Sequence, residues 1–364
     1  MANCGPTGPI TDLNVSHMNK YLPLWALALS MLFTPWASAQ LTSTLSRGQA
    51  AEVVHAIDGA LRANLFDTRL LETDDYRSIY KRMQSLVHDG QDKAAFAKAF
   101  NGFWAQGPFS HVQLMASPQR AEDMAAYLDA MRVGPNATSL AWHGDVPVLT
   151  VNTMMGQDTI QTISAVFAQL NDKASPHLII DLRQNKGGAF AVVPLVGHLI
   201  EQEVDAGFFV SQNWLRSHTE LPSAELVQAE KPWQGWSIRS FWSDVQSGEG
   251  LLRIRFVPMQ PRYQGTVYVL TSRKTASAAE MSIDALRAAG RITQVGERTA
   301  GQMLSQKMFN LPQGFLLSVP IADYIGLRSG RIEGKGIAPH VPSDASQALE
   351  AALALVKSAT QTQK

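Results

Sequence analysis

The stretch TVYVLTSRKTASAAEMSIDALRAAG, residues 266–290, decides how the rest of the chain is read. Its first six residues are β-branched or apolar without alternation, the pattern of a strand covered on both faces. A short polar turn follows, and from Ser277 onward alanines and spaced apolar residues predict a helix. A strand feeding directly into a helix is the repeating unit of α/β sheets. Ser277 stands at the junction, where a hydroxyl reads equally as a helix N-cap or as a nucleophile exposed at a strand-to-helix turn. A nucleophile needs a group to take its proton, and no histidine lies nearby in the sequence.

Working outward, VPVLTV, HLIIDLR, GFFVSQ, ITQVG and FLLSVP read as strands. DTIQTISAVFAQL, AFAVVPLVGHLIEQ and ASQALEAALALVKSA read as helices between or after them. The segment before residue 140 is helical instead. AEVVHAIDGALRANLF and AAFAKAFNGFWAQ repeat apolar residues at three- and four-residue spacing, and SPQRAEDMAAYLDAMRV reads as a further helix capped by Ser117. GPNATSLAWHGD reads as a loop. The pattern therefore predicts a helical N-terminal domain over 40–140 and an α/β domain over 141–364. Residues 213–263, with four tryptophans among polar residues, fit neither period and read as an insertion; Trp214 and Trp236 are candidate substrate contacts or simply packing groups.

Composition narrows the function classes. Lys plus Arg and Asp plus Glu both number 31 in 364 residues, so no net charge draws the chain to nucleic acid. Residues 1–39 read as a signal segment, with Met18 as the expected start and Lys20 as its basic flank. An apolar run to Phe33 and the small residues Ala37-Ser38-Ala39 before Gln40 complete it. The run is shorter than the ~20 residues a membrane span needs, so export without stable membrane insertion is expected. The single cysteine, Cys4, lies inside this segment, which leaves neither disulfides nor thiolate metal ligands downstream.

A second strand-to-helix junction, LIIDLRQNKGGAF, carries Gly187 and Gly188. Paired glycines there allow close backbone approach and free N–H groups, suiting a phosphate cradle, an oxyanion hole or a bare turn. The GxxxxGK[ST] and GxGxxG spacings are absent. Taken together, DLRQNKGG, VYVLTSRKTASAAE, VGERTAGQ and IEGKGIAPHVP resemble the C-terminal-processing (tail-specific) and tricorn-core serine peptidases, from about Asp145 to the C-terminal helix. The resemblance implies an α/β (α+β) fold of the crotonase- or Clp-type ββα superhelix, with Ser277 as nucleophile and no metal or cofactor. It also implies an oxyanion hole from the N–H of Ala278 and that of Gly187 or Gly188.

The tail-specific branch takes its base from a lysine directly after G-x-x-T-x-G, where this chain has Gln302, and a neutral amide cannot accept the proton. Lys307 lies five residues on, on the opposite face of a strand. The tricorn-like branch instead uses a Ser-His pair from the helical domain, and GPFSHVQL supplies Ser110 and His111. That likeness implies His111 as base, with Ser110 and Glu333 completing a relay. His340 departs from the family's usual aspartate. Only about 35 residues separate His111 from Val146, too few for the PDZ domain of many tail-specific enzymes. The expectation is an exported serine peptidase acting on peptides or proteins. The alternative is a non-catalytic ligand- or peptide-binding protein of the same fold.

Overall fold

The computed structural model describes residues 44–362 apart from Ala174, so the expected signal segment lies outside the described residues. Strand Thr266–Thr271 pairs in parallel with His177–Asp181 on one side and Ile292–Gly296 on the other. Val146–Val151 and Val341–Pro342 extend this sheet in parallel, and Thr138–His143 closes it antiparallel. The lack of alternation in the central strand has a direct cause. Val267 and Val269 face a core shared with helix Ala278–Ala288, while Tyr268 and Leu270 face the C-terminal helix Ala348–Thr362. Both faces are covered, as in parallel sheets generally. Helices Gln157–Lys173 and Ala278–Ala288 connect neighbouring parallel strands.

A second, antiparallel sheet runs in the order Ser305–Leu311, Phe315–Gly326, Val204–Ser211, Leu251–Phe256. Its long member, Phe315–Gly326, is buried throughout its 12 residues and also pairs with Gln113–Ala116. Helix Ala278–Ala288 packs between the two sheets, with every residue from Ala278 to Leu286 buried. Helices Arg47–Asn64, Asp74–Gln84 and Lys93–Trp104 form a core of their own that closes on Phe315, Leu317 and Val319 of the long strand. The described residues form one compact unit.

Several local expectations change. Residues 138–143 are an edge strand, not a loop. Helix Ala121–Ala130 is not capped by Ser117; the Asn310 Oδ1 accepts the Ala121 N–H at 2.8 Å. The expected helix through AFAVVPLVGHLIEQ holds only Val192–Gly197, because the Ala189 and Ala191 N–H groups are committed to the Met154 carbonyl. Across 213–263 the chain forms short helices and the strand Leu251–Phe256.

Candidate active site

The turns after His177–Asp181 and Thr266–Thr271 leave the same end of the parallel sheet, where ligands bind in open α/β sheets. They interlock. Thr275 Oγ1 donates to the Leu182 carbonyl at 2.8 Å, Ser272 Oγ to that of Arg183 at 2.6 Å, and the Ala276 N–H to that of Asn185 at 3.0 Å. The buried Asn185 side chain donates to the Val151 carbonyl and accepts the Gly187 N–H at 2.8 Å. Gly187 (φ +89°) needs its missing side chain: a Cβ there would lie 2.5 Å from Ser277 Cβ.

Ser277 has φ 55° and ψ −126°, outside the extended region of an ordinary N-cap and outside the common left-handed basin. Its N–H donates to Glu280 at 3.0 Å, in the S-x-x-E arrangement of a capping box. The fully buried Glu280 carboxylate also accepts the Thr299 hydroxyl at 2.5 Å and the Gly301 and Gln302 N–H groups at 2.8 and 3.0 Å. Burial pushes its pKa up, and these donors oppose the shift. The Ala278 N–H, first in the helix, and the Gly188 N–H, on an exposed residue, have no acceptor among the described residues. Gly187's N–H, by contrast, is already spent on Asn185.

His111 precedes strand Gln113–Ala116 and stands at φ 65°. Its Nδ1 lies 2.6 Å from Ser110 Oγ. Burial pushes the imidazole pKa down, and the charge of Glu333 pushes it back up. Glu333 is buried and accepts the Met303 N–H at 2.6 Å and the Leu304 N–H at 3.2 Å. Four consecutive N–H groups, 301 to 304, are thus divided between Glu280 on the Ser277 side and Glu333 on the His111 side. Among the described residues no hydrogen bond joins His111 to Ser277, nor Glu333 to Ser110.

The remaining candidates fall elsewhere. Lys307 Nζ donates to Gln246 Oε1 at 3.0 Å, and Gln302 meets the site through its backbone. His340 Nδ1 accepts the Gln294 N–H. Trp214 is buried, stacked on His218, and its indole N–H goes to the Glu220 carbonyl, which leaves it no surface for a substrate. Trp236 is half-buried against Phe190, itself two residues past Gly188. Sequence reasoning missed Glu280 as a hub, although its spacing from Ser277 marks a capping box. It also missed Asp323, a buried carboxylate whose pKa burial raises to about 6, its Oδ1 unpartnered and its Oδ2 held by Arg331.

The model of peptidase family S41 matches residues 145–343, and the chain belongs to that family. Among curated proteins, it is 26% identical over 156 residues to a carboxyl-terminal-processing protease of Picosynechococcus sp., covering 43% of this chain and 29% of that one. It is 27% identical over 171 residues to the Synechocystis sp. protein of the same description, covering 47% and 32%. The matched region thus spans about a third of either relative. A solved structure from Parabacteroides merdae is similar at TM-score 0.56 and 16% identity, over 85% of this chain and 96% of that chain. A lipoprotein from Streptococcus agalactiae is similar at 0.53 and 15%, over 86% and 97%. These last two likenesses bear on the fold, which is the expected α/β class.

Proposed function

We propose that the protein is a serine peptidase that hydrolyses peptide bonds through an acyl-enzyme. The observation that carries this reading is Ser277 itself, held at a strained φ/ψ against Gly187 and directly before the Ala278 N–H, which has no acceptor among the described residues. Ser277 Oγ attacks the scissile carbonyl as His111 Nε2 takes its proton. The oxyanion is received by the N–H groups of Gly188 and Ala278, at the positive end of helix Ala278–Ala288. His111 then returns the proton to the leaving amine, and a water deprotonated by the same imidazole releases the acyl group. Ser110 Oγ, accepting Nδ1–H, fixes the tautomer that leaves Nε2 free, and the Glu333 charge favours the transient imidazolium. Catalytic hydrogen bonds are often long without substrate and tighten when it binds, so the absence of a Ser277–His111 bond is compatible with this pairing. Trp236, unlike Trp214, keeps surface with which to meet a substrate.

Ser277→Ala and His111→Ala each lower hydrolysis of an unstructured peptide by several orders of magnitude, and the double variant is little worse than either. Strictly additive losses, or unchanged fluorophosphonate labelling of the His111→Ala protein, would defeat the pair and favour a ligand-binding role. The proposal includes export with cleavage before Gln40, and retention of Met18 in the intact mass of exported protein would refute that part.

A further inference from the structure

His111 is an awkward residue to hold in place. Its φ of 65° suits glycine or asparagine far better, so the chain relaxes elsewhere unless something fixes it. Ser110 touches only the ring. The backbone is fixed by the long strand: Ser318, 1% exposed, donates its hydroxyl to the His111 carbonyl at 3.1 Å. Ser318 also pairs in register with Gln113, two residues on, so the hydroxyl reaches back along the pairing to the residue that needs it.

Ser318 Oγ lies 2.5 Å from the Gln306 side-chain amide as well. A hydroxyl has one proton and two lone pairs, so it cannot donate to two carbonyl oxygens at once. The three groups are mutually consistent in one arrangement, with the Gln306 amide turned so that its NH2 donates to Ser318 Oγ. The Ser318 proton is then free to go to the His111 carbonyl. The resulting chain, Gln306 to Ser318 to His111, has a single direction.

We propose that Ser318, oriented by Gln306, is a positioning residue for the histidine base. The inference rests on the reading of His111 as that base. Neither side chain touches the imidazole, so their contribution is to the ring's location and not to its basicity.

The test uses the full-length protein, reading fluorophosphonate labelling of Ser277 together with kcat and KM on a peptide. Ser318→Ala lowers labelling and kcat by about ten- to a hundredfold, the scale of a small misplacement of a catalytic group, with KM unchanged. Ser318→Thr, which keeps the hydroxyl, restores most of the rate, and Gln306→Leu gives a smaller loss of the same kind. On a His111→Ala background, Ser318→Ala changes nothing further. A folded Ser318→Ala protein labelled at the parent rate, beside an inert His111→Ala, would overturn the positioning role and leave the base assignment standing. Loss in both the alanine and threonine variants would assign the effect to strand packing and overturn it too. His111→Ala labelled at the parent rate would remove the base assignment, and this inference with it. Should Ser318→Ala fail to fold, Gln306→Leu decides, because its side chain is only half-buried.

Discussion

Ser277 and His111 are two of the four non-glycine residues at positive φ among the described residues, and such conformations cost on the order of 1–3 kcal/mol each. Strain of that size persists only where neighbours enforce it, and here they are Glu280 for one residue and Ser318 for the other. As the proposed base, the histidine should also set the pH response. Burial lowers its pKa, so the neutral, proton-accepting form survives to lower pH than for a free imidazole near 6.5. With His111 as the proposed base, peptidase activity should be full at neutral pH, and the acid limb of kcat/KM should fall below ~6.5. The same group contributes stability that is complete above the unfolded value and is lost as pH falls from there toward the folded pKa. A midpoint above 7 in the pH profile would contradict this. Ser277, His111, Ser110 and Glu333 enter as candidates through motif likeness alone, because each motif is short and contiguous. Ser318 and Gln306 do not: they look like ordinary strand residues, and only the pairing register brings them beside His111.

The two interlocked turns form the element on which the proposed oxyanion site depends. Gly187 at φ +89° leaves no room for a methyl beside Ser277, and Gly188 at φ +139° none beside the Met155 N–H. Gly187→Ala should thus push Ser277 away from its N–H donors and lower turnover about a hundred- to a thousandfold, the cost of losing one oxyanion donor. Gly188→Ala acts on the donor directly, with a loss of the same order. Normal turnover by either folded variant, checked by circular dichroism and labelling, would make these turns purely structural. A continuous apolar run, Thr266–Thr271, and a helical period, Ala278–Ala288, were both readable in sequence. The strand Thr138–His143 was hidden because turn-forming residues precede it and only its antiparallel partner selects the extended state. The short helix Val192–Gly197 stops where tertiary hydrogen bonds outrank helix propensity.

Across the molecule, two hydrophobic cores meet on one strand. Phe315, Leu317 and Val319 point into the helical layer, while Leu316, Ile321, Ala322 and Tyr324 point into the core around helix Ala278–Ala288. Splitting the chain near residue 140 would expose the first set, so the helical layer and the sheets should melt together. Far-ultraviolet circular dichroism and tryptophan fluorescence should give coincident transitions, with Trp104 in one core and Trp233 and Trp242 in the other. Separate midpoints would show two independently folding bodies. Sequence periodicity separates a helical stretch from one of mixed strands and helices, but a single strand serving both cores has no signature in either region.

That strand is also a common datum. Ser318 refers His111 to it, and the Tyr324 hydroxyl refers the helix bearing Ser277 to it, donating to Asp284 at 3.0 Å. Positions measured from one datum do not accumulate each other's errors. Substitutions in the outer helices should therefore leave the spacing between the proposed base and nucleophile intact. A slip of one residue within Phe315–Gly326 would instead change that spacing by ~3.3 Å in a single step.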